Sequence, residues 1–175
     1  MTTWREQLNR IAAEFWCDVG DSTELPKVAD AANAELGEAH PAIWDFYTPQ
    51  SPERNRQLVL DITSEINGFV PGTWESERAL MIGFRKALQH FVAGAVPPQV
   101  LCKLVNRLDA VFVVGHTPRP NSLPRLPISW LGDLWNCCDW CDETWSRENS
   151  LPLVSEAVRV LELIDSYLSA TQADG

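Results

Sequence analysis

Three cysteines stand close together near the C-terminal end of the sequence, at Cys137, Cys138 and Cys141. Thiolates bind zinc and paired thiols exchange with disulfides, so this spacing could serve metal or redox chemistry. A structural zinc site usually needs a second pair of ligands, and the sequence has no other Cys-x-x-Cys and no spaced His pair. A thioredoxin-like redox pair needs a strand-helix-strand setting, which the sequence does not predict. The pattern favours cysteines packed in a core, with metal binding and redox use as the alternatives.

Arg85 and His90 form a second chemical pattern, within the segment RKALQH. The pair resembles the spaced Arg and His motif of HEPN ribonucleases, which are helical, and the resemblance implies RNA cleavage with His90 as an acid or base. The surrounding chain is neutral, whereas an RNA-cleaving site attracts phosphate. The two side chains also lie about 140° apart on a helix. A solvated Arg beside a boundary His is therefore the favoured interpretation, and His40 and His116 lack neighbours at metal-ligand spacing.

The better-known catalytic and cofactor motifs are absent from the sequence. It contains no G-x-S-x-G, P-loop, H-E-x-x-H or dinucleotide fingerprint. We therefore expect a protein that is not an enzyme, with no cofactor, no metal and no small-molecule substrate.

The sequence is strongly acidic, with a formal net charge of −10 and a pI near 4.7 over 175 residues. Nucleic acids and anionic membranes attract clustered Lys and Arg, so neither is an expected partner. The acids lie at the ends: residues 1–50 carry 3 basic and 9 acidic groups, and residues 133–175 carry 2 and 9. If the first and last helices pack side by side, they form one negative surface. The other interpretation is a solubilising coat.

Apolar residues recur at helical spacing along most of the chain, and sustained alternation is absent. Capping and stop signals predict helices or helical turns over 3–19, 26–36, 41–47, 51–68, 73–94, 98–115, 129–145 and 151–170. A short strand is the alternative for the sequence VFVV near residue 112. Residues 116–127 contain four prolines and two arginines, which predicts a long loop. The expected fold is an all-α, single-domain bundle of six or seven helices spanning residues 1–175.

Trp140 is expected to stand among acids on the outer face of the sixth predicted helix. On a helical wheel Leu131, Leu134, Trp135, Cys138 and Trp145 form the buried arc, and the outer arc carries Asp133, Asn136, Asp139, Trp140 and Glu143. An aromatic side chain rimmed by carboxylates suits the binding of a basic protein. Alternatively another helix or the 116–127 loop covers Trp140. Asp142 falls near the buried arc, so either the helix ends near Cys141 or this carboxylate is partly buried and paired.

Asp18, Asp21 and Glu24 surround Gly20 at the exit of the first helix and are further candidate binding groups. The alternative is that they cap helix starts, since Asp21 directly precedes one.

In size, acidity and stretches such as FRKALQHF and WLGDLWNCCDWCDETW, the chain resembles small acidic bacterial immunity proteins that block colicin-type or contact-dependent toxins. The resemblance is one of class, and it implies a cytoplasmic protein that binds a cognate toxin domain one to one. Carboxylates can take the place of phosphates in the cleft of a basic nuclease, with fast, salt-sensitive association. The alternatives are a helical adaptor or scaffold that binds a partner helix, and a HEPN-like ribonuclease.

Overall fold

Seven α-helices make up most of the computed structural model, which describes residues 3–36, 41–48, 50–114 and 129–170. The helices are α1 (Trp4–Trp16), α2 (Leu25–Leu36), α3 (Pro52–Asn67), α4 (Trp74–Val92), α5 (Pro98–Asp109), α6 (Ser129–Cys138) and α7 (Leu151–Ala170). Short 3₁₀ helices cover Ser22–Glu24 and Pro41–Tyr47. These ranges contain no strand, which confirms the all-α prediction. The predicted 116–127 loop lies outside the described residues.

Local sequence signals set several helix ends where they were predicted. The Thr3 hydroxyl accepts the Glu6 N–H while the Glu6 carboxylate accepts the Thr3 N–H, which is the predicted capping box of α1. Ser51 caps α3 by accepting the Arg54 N–H, with Pro52 as the first helical residue. Gly68 ends α3 at a φ of 65°, a left-handed conformation that costs glycine little. Local pairing of this kind explains why these boundaries are readable from sequence.

Three predictions about helix ends are wrong: the end of α1, the capping role of Thr73 and the strand alternative at VFVV. α1 ends at Trp16 rather than near residue 19, because Asp18 adopts a φ of 59°. Thr73 does precede α4, but its hydroxyl donates to the Val70 carbonyl instead of capping the helix. The VFVV sequence continues α5 as a π-helical segment, Ala110–Val114, so the strand alternative is wrong.

The largest correction concerns α6, which ends at Cys138 and not near residue 145. Residues 139–149 form successive turns, and Asp142 is exposed within them. Its carboxylate accepts the Thr144 N–H at 2.7 Å and the Thr144 hydroxyl at 2.6 Å. An Asp that bonds a backbone group two residues ahead competes with helix formation, which explains the early end. Of the two predicted states of Asp142, the structure shows the one in which the helix stops before it.

Helix α4 is the central element of the packing, because it contacts α1, α5 and α7. It lies close to α1 at Gly83, where a Cβ atom would lie 2.7 Å from the Ala13 carbonyl oxygen. Around it, α1 also packs on α2 and α3, α5 packs on α6, and α6 packs on α7. Buried apolar side chains from all seven helices belong to one cluster.

The two acidic ends of the chain therefore pack separately. Helix α1 contacts α2, α3 and α4, whereas α7 contacts α4 and α6. The side-by-side arrangement that would merge both ends into one negative surface is not formed by these helices. Within the described ranges, no helix has the length and apolar character needed to cross a membrane.

Candidate functional site

Trp140 is the most exposed large hydrophobic side chain among the described residues, with 80% of its surface accessible. It lies in the turn that follows α6, in which the Cys141 N–H donates to the Cys138 carbonyl at 3.0 Å. We call residues 139–145 the Trp140 turn. The prediction placed Trp140 on the outer face of a helix; the structure exposes it on a turn instead. Exposure of a large apolar ring costs free energy in water, so this position is a candidate contact surface.

The Trp140 turn is held by side chains on both sides. The Gln99 side-chain amide of α5 donates to the carbonyls of Asp142 at 2.7 Å and of Trp145 at 2.9 Å. The Asn149 side-chain amide donates to the Thr144 carbonyl at 3.1 Å. Cys141 and Trp145 are half-buried and pack against the core. These hydrogen bonds hold the backbone on which Trp140 lies, which lowers the entropy cost of binding a partner through Trp140.

Two carboxylates beside Trp140 are available to a partner. Asp139 and Glu143 are exposed, and no residue in the described ranges forms an ion pair or a side-chain hydrogen bond with either. Asp142 is engaged with Thr144, whose side-chain and backbone hydrogen bonds lower the pKa of the Asp142 carboxyl below its usual 3.8. The turn is therefore negatively charged at neutral pH.

The α6 part of the predicted surface differs in detail from expectation. Asn136 is exposed, whereas the exposed Asp133 carboxylate pairs with Arg159 of α7 at 3.0 Å. Leu131, Leu134 and Cys138 are buried as predicted. Trp135, predicted to be buried, is 39% exposed, because α6 stops at Cys138 and its buried stripe runs through residues 130, 131, 134 and 138 instead.

Asp18, Asp21 and Glu24 all have partners within the chain. Asp18 lies between Arg56 at 2.8 Å and Arg107 at 2.6 Å. Glu24 pairs with Arg10, and Asp21 accepts the Thr23 N–H at 2.9 Å as the cap of Ser22–Glu24. The Thr23 backbone hydrogen bond also lowers the pKa of the Asp21 carboxyl. The capping alternative is thus confirmed for Asp21, whereas Asp18 and Glu24 pair with arginines.

These three acids also lie apart from the Trp140 turn. Asp18 contacts Arg107 near the C-terminal end of α5, while the turn is bonded to Gln99 near its start. Arg107 follows Gln99 by eight positions on α5, which corresponds to a rise of about 12 Å along the helix. The structure therefore separates Asp18 from the Trp140 turn along the length of α5.

Arg85 and His90 do not form a joint site. Arg85 pairs with Asp165 of α7 at 2.5 Å. His90 instead lines a cleft of about 500 Å³ between α4, the start of α3 and the connection from α1 to α2. Lys86 lines the same cleft and donates to the buried Glu14 at 2.5 Å. Arg85 is therefore engaged with α7, whereas His90 faces the cleft beside α3.

The cysteines of the Cys-Cys-x-x-Cys segment pack in the core with a fourth cysteine that the spacing did not reveal. Cys138 is buried, Cys137 and Cys141 are half-buried, and the buried Cys102 of α5 belongs to the same core cluster. Burial raises the pKa of the Cys137 thiol. No group of three or more His, Cys, Asp or Glu side chains in the described ranges is arranged to hold a metal ion. Cys102 lies on the buried face of α5, and its position on that face was the one indication in the sequence that it belongs to the core.

Comparisons with protein-family models, curated proteins and solved structures find no match to this chain. The Trp140 turn, which combines an exposed aromatic ring with two available carboxylates, is therefore the candidate functional site.

Proposed function

We propose that this chain binds a basic partner protein through the Trp140 turn and neutralises it, in the manner of an immunity protein that blocks a cognate toxin domain. The observation that carries the proposal is the 80% exposure of Trp140 on a turn held by hydrogen bonds. Tryptophan is enriched among the residues that dominate interface energies, since one ring removes a large apolar area from water.

The charges around Trp140 support a cationic partner. Asp139 and Glu143 have no cation beside them within the described part of the chain, so their fields extend into solvent. Carboxylates of this kind speed association with a basic surface and set the orientation of the encounter. A nuclease cleft that attracts phosphate is such a surface, and this is the partner class that the resemblance to immunity proteins implies.

The ion pairs within the chain reduce the number of residues that we expect to bind a partner. Asp133, Asp18 and Glu24 already pair with arginines of the chain, so a partner would have to displace those ion pairs. We therefore assign the main contact to Asp139, Trp140 and Glu143, with Asn136 beside them on α6. The three acids that follow α1 have partners within the chain.

A helical adaptor is the second candidate, favoured by exposed apolar side chains on α6 and α7. Leu151 and Val158 are exposed one heptad apart on α7, and Trp135 is exposed on α6. A partner helix can bind such a strip through apolar contacts that salt does not weaken. The separation of Arg85 from His90 makes RNA cleavage the least supported of the three functions.

The test is to co-express this chain with the protein domain encoded by the gene directly upstream of its own gene. We expect that domain to arrest growth, the wild-type chain to restore growth, and Trp140→Ala to fail while remaining folded. Binding of the purified pair should weaken steeply as salt rises, because Debye screening shortens the range of the acidic field. Tight but salt-insensitive binding would support the adaptor, and an upstream domain that neither arrests growth nor binds would refute neutralisation.

A further inference from the structure

Two aromatic side chains lie side by side on the surface of the 3₁₀ helix Pro41–Tyr47. Residues three positions apart eclipse each other in a 3₁₀ helix, so Trp44 and Tyr47 share the exposed face while Ile43 and Phe46 share the buried one. Trp44 is 59% exposed and Tyr47 is 37% exposed. Their ring centroids are 5.7 Å apart, and the ring planes are tilted by 42°. The two rings therefore form one exposed aromatic surface, which we call the Trp44–Tyr47 pair.

Hydrogen bonds to helix α2 fix the Tyr47 ring. The Tyr47 hydroxyl donates to the Asp30 carboxylate at 2.6 Å and accepts from the Asn33 side-chain amide at 3.0 Å. Asp30 and Asn33 are three residues apart on α2, so both side chains leave the helix on the same side. The hydrogen bond with Asp30 also raises the pKa of the Tyr47 hydroxyl, which stays protonated as a donor. The ring is therefore ordered before a ligand arrives, which lowers the entropy cost of binding.

The charges beside the Trp44–Tyr47 pair are negative and have no cation beside them. Asp30 and Asp45 are exposed, and neither carboxylate forms an ion pair within the described part of the chain. The Asp30 Oδ1 atom accepts the Tyr47 hydroxyl, which leaves Oδ2 as an acceptor for a donor from solution. The pair therefore joins two ring faces to an available carboxylate.

This combination suits an organic ammonium group. The face of a Trp or Tyr ring attracts a cation that lies within about 6 Å of the ring centroid. Because the two centroids are 5.7 Å apart, one ammonium nitrogen can lie within that distance of both rings. The Asp30 carboxylate can accept a charge-assisted hydrogen bond from an ammonium N–H, and an alkyl stem can remove apolar ring surface from water.

We propose that the Trp44–Tyr47 pair binds a small alkylammonium compound, with the ammonium group against the two rings and the Asp30 carboxylate. Two rings can cover one such group, but they fall far short of the roughly 800 Å² per partner that a stable protein interface buries. The ligand is therefore a free amine and not a partner protein. The site is built by α2 and the 3₁₀ helix Pro41–Tyr47, so it is separate from the Trp140 turn.

The experiment titrates the full-length chain with n-butylammonium chloride and follows the tryptophan indole N–H signals by NMR, with sodium chloride of equal ionic strength as the blank. The Trp44 signal is assigned by its loss in Trp44→Ala. We expect it to shift saturably with n-butylammonium and to stay unshifted with n-butanol, which has the same stem without the charge.

Trp140 supplies an internal comparison in the same titration. It is exposed beside acids, but no second aromatic ring pairs with it in the described ranges. Trp44 should reach half-saturation at an amine concentration about two- to fivefold lower than Trp140, which is the gain from one further cation–π contact.

An amide substitution tests the carboxylate without removing the hydrogen bond to Tyr47. Asp30→Asn keeps an acceptor for the Tyr47 hydroxyl but loses the charge, so it should raise the amine concentration at half-saturation about threefold or more. Glu162→Gln is the matched control, because it removes one charge from an exposed position on α7. It should leave the titration of Trp44 unchanged.

Three results would overturn the proposal. These are an equal shift of the Trp44 signal with n-butanol, equal affinity of Asp30→Asn and wild type, or half-saturation of Trp140 at the same amine concentration as Trp44 or a lower one. The wild-type titration decides the first and the third even if Asp30→Asn fails to fold. Because no partner domain is present, the result is independent of whether the Trp140 turn neutralises a toxin.

Discussion

Replacing Trp140 by alanine tests the proposed contact directly, because the side chain is attached to an ordered turn and has little part in the core. A tryptophan buries up to about 250 Å² in an interface. With 80% of its surface accessible, about 200 Å² remains to be buried, equivalent to about 5 kcal/mol at about 25 cal/mol per Å². This is an upper bound, since binding also costs entropy and the alanine retains part of the contact.

We expect a loss of about 2–4 kcal/mol of binding free energy, which corresponds to about 30-fold to 1000-fold weaker binding. The assay is isothermal titration calorimetry of the chain with its partner domain at low and moderate salt. The free energy of unfolding in urea should differ between wild type and Trp140→Ala by less than about 0.5 kcal/mol, because the Trp140 ring contributes little to the core.

Trp44→Ala is the matched control. Trp44 is 59% exposed and belongs to the 3₁₀ helix Pro41–Tyr47, which packs mainly on α2 and α3. The reasoning is refuted if Trp140→Ala changes the dissociation constant less than about threefold, the size of a peripheral contact. It is equally refuted if Trp44→Ala weakens binding as much.

Four further predictions follow from the described contacts. The double variant Asp139→Lys, Glu143→Lys should associate with the partner about tenfold more slowly or worse at low salt, and at nearly the wild-type rate at high salt. The control double variant Glu53→Lys, Glu162→Lys, at exposed acids on α3 and α7, should associate at the wild-type rate at both salt concentrations. Stopped-flow fluorescence measures these association rates. Gly83→Ala should destabilise the fold by about 1–3 kcal/mol in urea melts because its Cβ would meet the Ala13 carbonyl, while Gly132→Ala, with open space around it, should be neutral or slightly stabilising. Glu14→Gln should lower the free energy of unfolding by about 1–2 kcal/mol, because the buried Glu14 carboxylate forms ion pairs with Arg10 and Lys86. The loss is moderate because both cations retain access to water. Equal stability of wild type and variant in urea melts would contradict this prediction. The lowered pKa of Asp142 means that its stabilisation of the turn is present above the ordinary carboxyl pKa of 3.8 and is lost as pH falls through the lower folded pKa; the Thr144 amide shift in NMR should follow this titration, and a shift that moves at higher pH would contradict it.

Sequence alone predicted the helices whose ends depend on neighbouring residues. The capping box at Thr3, the Ser51 and Pro52 start and the Gly68 stop all act within four residues, so their physics is visible in the sequence. The end of α6 was missed because no Gly or Pro marks it. The bond from Asp142 to Thr144 is a local signal that could have indicated a turn, whereas the bonds from Gln99 come from more than forty residues away.

The candidate site was predictable only in part, for the same reason. An aromatic residue among acids is a pattern within a few positions, and Trp140 is indeed exposed, although on a turn. The acids after α1 looked equally available in the sequence. The two arginines that pair with Asp18 lie 38 and 89 residues further along the chain, and no local sequence pattern relates these arginines to Asp18.

The central place of α4 has a consequence for synthesis on the ribosome. This helix packs against α1, the first of the seven helices to be translated, and against α7, the last of the seven. During translation the face of α4 that α7 later covers has no permanent neighbour until residues 151–170 have left the exit tunnel. A nascent chain halted before Leu151 would therefore display that apolar face to chaperones and proteases. The first six helices therefore wait for α7 before the core is complete.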